Sequence, residues 1–118
     1  MPDPAIQVAF ETFAQLDIRS GTVVQAEPFP EARNPSIKLV IDFGESSGRR
    51  QSSAQLTRHY TPESLVGTTV LAVLNLAPRR VAGFRSEVLV LGVVDPDDPG
   101  DVVLVRPDQP QTRGWRLG

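Results

Sequence analysis

The sequence predicts an all-β domain with minor helix, a small barrel of five strands. Three observations carry that expectation: period-two alternation along residues 37–43, two nearly continuous apolar runs of strand length at 68–76 and 87–94, and glycine-bearing turns between runs. Ile6, Phe10 and Phe13 stand at i, i+4 and i+7 behind Asp3-Pro4, so residues 5–15 are expected to form one amphipathic helix with proline near its first turn. Asp17 to Ala26 is rich in β-branched residues and holds Gly21, which fits a first strand bent within a curved sheet. Ile37, Leu39, Ile41 and Phe43 alternate with Lys38, Val40 and Asp42, as a half-buried second strand requires. Gly44-Glu45-Ser46-Ser47-Gly48 then turns the chain into Arg49 to Leu56, the third strand of a hairpin.

Thr61-Pro62-Glu63-Ser64-Leu65 offers a threonine cap, proline at the first helical position and an acid in the first turn, ended by Gly67, hence a short helix. Thr68 to Leu76 and Glu87 to Val94 fit strands buried on both faces or covered by a neighbour. Asp101 to Arg106 reads as one more short strand closed by Pro107, and Arg113 to Leu117 as a last one. Five main strands with a small helix between the third and fourth describe an OB-fold barrel. It is expected over 17–94 with an N-terminal helix before it and a C-terminal strand extension over 101–118, all within a single domain, 1–118.

Composition removes several classes of function. There are no cysteines among the 118 residues, which excludes disulfides, thiolate zinc sites, iron–sulfur clusters and cysteine nucleophiles. Met1-Pro2-Asp3-Pro4 is acidic where a secretory signal would be basic and then apolar, and no apolar run approaches the ~18 residues of a membrane span. A cytoplasmic protein without membrane insertion is therefore expected. His59 is the only histidine, no serine lies in a Gly-x-Ser-x-Gly elbow, and Gly44 to Gly48 lacks the Gly-Lys-Ser/Thr of a phosphate-binding loop. Asp95-Pro96-Asp97-Asp98-Pro99-Gly100 begins like a calcium loop, yet Arg106 stands where its bidentate glutamate should be, so it is read as a hairpin loop. The expectation is a binding protein, not an enzyme, with no catalytic residue, metal or cofactor.

Charge is unevenly spread along the chain. The net −2 resolves into −4 over residues 1–48, +5 over 49–85 and −3 over 86–118. The basic middle block contains Arg49, Arg50, Arg58, Arg79, Arg80 and Arg85, and arginine suits planar capture of carboxylates or phosphates. Directly after Arg49-Arg50 comes a neutral hydrogen-bonding stripe of Gln51, Ser52, Ser53 and Gln55. In an OB barrel the face of strands 2 and 3, with the loop between strands 4 and 5, holds ligands. Candidate binding residues are therefore Arg33, Lys38, Gln51, Ser53, Asn75, Arg79, Arg80, Phe84, Arg85 and Ser86. The arginines would engage acidic or carbonyl groups, Phe84 would offer apolar contact, and Gln51, Ser53 and Asn75 would bond to backbone. The same groups could hold phosphates and base edges. Aromatic side chains for stacking are few, namely Phe84, Tyr60 and Phe29.

Several ordered motifs together resemble the tRNA-binding-domain family, and within it the CsaA-type secretion-associated chaperones. They are Asp17-Ile18-Arg19-Ser20-Gly21-Thr22-Val23, Phe29-Pro30-Glu31-Ala32-Arg33-Asn34-Pro35, Lys38-Leu39-Val40-Ile41-Asp42-Phe43-Gly44, Gln51-Ser52-Ser53-Ala54-Gln55, Pro78-Arg79-Arg80-Val81-Ala82-Gly83-Phe84 and Ser86-Glu87-Val88-Leu89-Val90-Leu91-Gly92. The resemblance runs from Phe10 to Gly118, and the family also includes the C-terminal appendage of bacterial methionyl-tRNA synthetase. It implies an OB-fold homodimer that binds unfolded or presecretory polypeptides and assists protein export. Phe10 and Phe13, with the extension after residue 100, would then lie near the dimer interface. A short helix showing aromatic residues needs something to bury them, either a second subunit or its own barrel. The alternative that the resemblance implies is a tRNA-binding module that recognises tRNA shape through phosphate contacts. The chain departs from lysine-rich tRNA-binding relatives in being net acidic, with Lys38 as its only lysine.

Overall fold

The computed structural model of the chain describes residues 6–118. A helix α1 (Phe10–Ala14) leads into β1 (Ile18–Pro28), β2 (Ile37–Asp42) and β3 (Arg49–Ala54). Helix α2 (Pro62–Leu65) and β4 (Thr69–Val73) follow, then β5 (Arg79–Val81), β6 (Phe84–Ser86), β7 (Leu89–Val90), β8 (Gly92–Asp95) and β9 (Asp98–Leu104). The order β3-β2-β1-β4-β7 forms a five-stranded antiparallel sheet curled into a nearly closed barrel, the expected OB fold, while β5–β6 and β8–β9 are separate hairpins.

Curvature comes from β1, which serves two partners in succession. Ile18 to Thr22 pairs with β4, and Thr22 to Pro28 pairs with β2. The register with β2 slips between Val23 and Gln25, and such a bulge increases local twist and bend. Gly21 lies just before β1 passes from β4 to β2. A Cβ there would stand 2.6 Å from Ile41 Cγ2 and 2.7 Å from the Phe43 ring, so the missing side chain lets β2 fold over β1. The inward half of the alternation, Ile37, Leu39, Ile41 and Phe43, then fills the barrel with Val23, Val70 and Val88. Thr61 and Ser64 cap α2 reciprocally, Pro62 occupies its start, and Leu65 is placed fully inside the core.

Strand β4 is buried along its whole length, as its continuous apolar run predicts. Its inner face lines the barrel, and its outer face, with Ile18, Leu71 and Val73, lies under Phe13, Leu91 and Val105. The run 87–94 differs from expectation. It is not one buried strand: β7 stays on β4, Leu91 N–H donates to the Leu71 carbonyl, and β8 then turns outward to pair with β9. Leu89, Val93 and Val94 are consequently exposed. The acidic loop shrinks to the turn between Asp95 and Asp98, which face each other in the ladder, so Pro99 and Gly100 already belong to β9.

Three further boundaries move. The helix expected over 5–15 is confined to Phe10–Ala14, with Ile6 to Ala9 non-helical and residue 5 outside the described residues. Ala9 at the cap has no side-chain oxygen to accept an N–H, so nothing extends the helix toward the N-terminus. The segment 79–86, expected as a loop entering the fifth strand, is the β5–β6 hairpin, closed by Ala82 and Gly83 at φ 47° and 83°. Two successive residues in the left-handed region are what a tight two-residue hairpin turn demands. Arg113 to Leu117 is not a full strand and forms one bridge, Arg19 with Arg116. Around it, Gly114 N–H donates to Ser20 O, Ser20 N–H to Trp115 O, and Leu117 N–H to Ile18 O. This tail occupies the edge of β1 that β2 leaves open. Among the described residues no helix is long and apolar enough to cross a membrane.

Candidate ligand-binding face

The site is built where β3, the outer strand of the sheet, meets the chain leaving β6. Gln51 and Ser53 turn their backbone N–H groups away from β2, and in an open sheet these would be bare edge donors. Here the Glu87 carboxylate accepts from Gln51 N–H at 3.0 Å and the Ser86 hydroxyl accepts from Ser53 N–H at 3.0 Å. Gln51 Nε2 donates to the Arg85 carbonyl at 2.8 Å, and Glu87 N–H returns one backbone bond to Gln51 O at 2.9 Å. On the inner face Ser52 Oγ donates to the Val88 carbonyl at 2.8 Å and lies 3.5 Å from Ser86 Oγ. The seam is thus held mainly by side chains. The β5–β6 hairpin above it buries no residue of its own.

Its main apolar anchor is Phe84. The ring meets buried Phe29 edge-on at 5.5 Å between centroids, and Lys38 Nζ sits 4.6 Å from the Phe29 centroid and 5.1 Å from that of Phe84. Edge-to-face rings and a cation over an aromatic face are both attractive geometries, so the three side chains hold one another.

Two cavities border the hairpin. One, of about 350 Å³, is lined by Gln25, Glu27, Lys38, Val40, Gln51 and Phe84. The other, of about 400 Å³, takes Arg33, Ser53, Arg79 and Ser86 into a wall that also includes Leu76, Val81, Leu89 and Val94. The structure therefore divides the sequence candidates. Lys38, Gln51 and Phe84 share the first cavity, and Arg33, Ser53, Arg79 and Ser86 share the second. Arg80 and Arg85 face each other across the exposed hairpin. Asn75 lines neither cavity. Its Oδ1 accepts from Asp17 N–H at 2.8 Å and its Nδ2 donates to Gln15 O at 2.7 Å, so its amide ties the end of α1 to the end of β4.

The remaining candidates, Phe10 and Phe13, lie on α1. Phe13 packs on the barrel's own outer cluster, whereas Phe10 is 70% exposed.

Charge pairing sharpens the picture. Among the described residues, ion pairs join Arg19 and Arg116 to Asp17, Arg58 to Asp98, and Arg113 to Asp42, and His59 is hydrogen-bonded to Asp101. Arg33, Lys38, Arg49, Arg50, Arg79, Arg80 and Arg85 take no part in these pairs. Arg58 is the member of the basic block that is neutralised, at 2.6 Å from Asp98. The hydrogen bond from Arg58 holds the Asp98 carboxyl below its usual range, helped by the Gly100 N–H, and the same bond raises the guanidinium. Arg58 and His59 thereby strap the loop after β3 to the β8–β9 hairpin. The other block arginines keep their charge available to a ligand.

Sequence reasoning missed Glu87, Gln25 and Glu27. Gln25 and Glu27 could have been found from their i, i+2 spacing on the outward face of β1. Glu87 offered no local signal, because its role depends on an edge N–H from β3.

A curled five-stranded sheet with cations gathered beside β3 defines an OB-fold module. The tRNA binding domain model matches residues 18–116, and the chain belongs to that family. It is a CsaA-like member: it is similar to the chaperone CsaA of Bacillus anthracis, at 52% identity and TM-score 0.88, over 96% of this chain and 100% of that one. CsaA of Picrophilus torridus is similar at 36% identity and TM-score 0.85, over 95% and 100% of the two chains. The methionine-tRNA ligase of Porphyromonas gingivalis is 39% identical over 100 residues, 85% of this chain. The chain spans only 14% of that ligase's length.

Proposed function

We propose that the protein works by binding, as a chaperone-like homodimer that takes unfolded or presecretory polypeptides in the cytoplasm and assists their export. The observation that carries this reading is the second cavity, whose apolar wall of Leu76, Val81, Leu89 and Val94 is rimmed by Arg33 and Arg79, which form no ion pair among the described residues. Such a surface fits a segment with apolar side chains and a carboxylate, and fits a smooth polyanion less well. The similarity to two chaperones of almost equal length supports it.

Exposed apolar groups on and around α1 support the dimer. Phe10, Ile6 and Val8 are exposed in one short stretch, and Phe13 backs them from the barrel side. Contiguous exposed apolar surface of this kind marks a contact with another chain. The test is suppression of aggregation of a denatured client, run with the unaltered chain and with the double substitution Arg33→Ala, Arg79→Ala. Protection that weakens in the variant is expected; no protection by the unaltered dimer would end the proposal.

A second reading, tRNA binding through phosphates, is favoured by the family and by Arg80 and Arg85, two like charges placed directly opposite each other. Opposed cations in a hairpin repel, and a bound phosphate relieves that repulsion. Affinity for tRNA should then fall steeply with salt, and Arg80→Ala with Arg85→Ala should flatten the slope of log K against log salt.

A further inference from the structure

We propose that the outer edge of β3 is a strand-addition site for an extended acidic polypeptide segment, kept closed in the free protein by the β5–β6 hairpin, whose Ser86 and the following Glu87 occupy the hydrogen-bonding positions of the missing strand. This rests on the polypeptide-binding reading and specifies how the segment is held.

The edge is complete only by proxy. Strand β3 has a full backbone ladder with β2 on one side. On the other, the N–H groups of Gln51 and Ser53 are met by a carboxylate and a hydroxyl, and Gln51 O accepts the seam's backbone N–H from Glu87. A peptide laid along β3 can supply carbonyls to both N–H groups and an N–H to Gln51 O, exchanging like for like. The hairpin that must move is a separate two-stranded unit without a buried residue, held through Phe84 on Phe29 and Lys38 and through the side-chain bonds of the seam.

Moving it also joins two spaces. Phe84 and Gln51 line one cavity; Arg79, Val81 and Ser86 line the other beside Ser53 and Ala54. With the hairpin lifted, they form one groove along β3 that takes about five extended residues at ~3.3 Å each. Charge selects the occupant. Arg33 at the groove, and Arg79, Arg80 and Arg85 on the hairpin, take part in none of the ion pairs among the described residues, so acidic side chains on the incoming strand complete them. Alternate residues of a bound strand would point into the apolar wall, which favours an alternation of acidic and apolar residues.

The sequence has no cysteine, so a single cross-link can be installed without competition. Ser52 Oγ and Ser86 Oγ stand 3.5 Å apart, a gap that two longer cysteine side chains can close. In the protein carrying Ser52→Cys and Ser86→Cys, a labelled peptide of about ten residues alternating glutamate and valine should bind when the protein is reduced and lose about tenfold or more in affinity when it is oxidised. Unchanged affinity in the oxidised, folded protein would overturn the strand-addition site.

A second measurement uses the unaltered chain, should the variant not fold. The same peptide N-methylated at its two central residues should bind about tenfold to a hundredfold more weakly, the loss expected for one or two unmade main-chain bonds in any register. Equal binding of the methylated peptide would overturn the strand-addition site while leaving polypeptide binding intact. Failure of the parent peptide and of unfolded clients to bind at all would overturn both.

Discussion

The barrel completes two open stretches of strand, one on β1 and one on β3, by opposite means. Along β1, the tail through Gly114, Trp115 and Leu117 completes the edge with three main-chain hydrogen bonds, to which Ser20 adds its hydroxyl on the Thr112 carbonyl. Along β3, Gln51 and Ser53 depend on the side chains of Glu87 and Ser86. Main-chain bonds survive most substitutions, because every residue but proline carries the same groups. A side-chain latch belongs to particular residues and can be released by one change or by a competing ligand. Both cavities, and arginines that form no ion pair among the described residues, lie beside the second kind of edge. Permanence on one side leaves adaptability for the other.

The largest expected effect abolishes the contrast by damaging the barrel that both edges share. Gly21→Ala places a methyl group 2.6 Å from Ile41 Cγ2, and overpacking of this kind costs about 3 kcal/mol in a core with little room to shift. Urea denaturation should show the midpoint falling, and both edges should lose amide protection together.

A smaller pair of substitutions separates them. Ser20→Ala leaves the Thr112 carbonyl without its partner and should cost about 1–2 kcal/mol, with faster amide exchange at residues 114–117 and unchanged ligand binding. Ser86→Ala should cost about 1 kcal/mol or less, with faster exchange at Ser53 and altered peptide or tRNA affinity. Binding that responds to Ser20→Ala as strongly as to Ser86→Ala would erase the distinction.

The smallest effect concerns pH. The Asp98 carboxyl is held below its ordinary range when folded, so its bond to Arg58 stabilises the protein above that range and is lost as pH falls through the lowered value. Acid should therefore loosen the strap between the β3–α2 loop and the β8–β9 hairpin, and both edge seams should keep their protection. Amide exchange near Asp98 across the acid range is the check, with Arg58→Ala expected to remove the dependence.

Much of the fold could be read from residue order because its physics is local. The alternation from Ile37 to Phe43 marks a strand with one buried face, and Thr61-Pro62 with Ser64 writes a helix start into four residues. The unbroken apolar run of β4 corresponds to burial on both faces. The similar run at 87–94 looks the same and behaves differently, since its burial depends on which neighbours remain after β4 has taken Leu89 and Val90. The β5–β6 hairpin escaped notice because Ala82 occupies a left-handed turn position that glycine or asparagine would have advertised.

At the site, the clustering of cations was legible as a count along the chain. The role of Asn75 was not, because its amide serves Asp17 and Gln15, 58 and 60 residues away. Glu87 was hidden for the same reason, with its partner Gln51 lying 36 residues upstream.

The tail on β1 has a consequence for the order in which the protein is made. Ser20 belongs to the first strand to be synthesised, yet the groups that satisfy it belong to residues 112–115, and the Ser20–Thr112 bond spans 92 positions. Synthesis proceeds from the N-terminus, so β1 waits with part of its backbone bonded only to water until residues 112–117 have been translated. Closing so long a loop is a late and slow event compared with forming the β2–β3 hairpin. A nascent chain should therefore reach its protease-resistant form only once residues 112–117 have left the ribosome, and any truncation before Thr112 should keep it from that form.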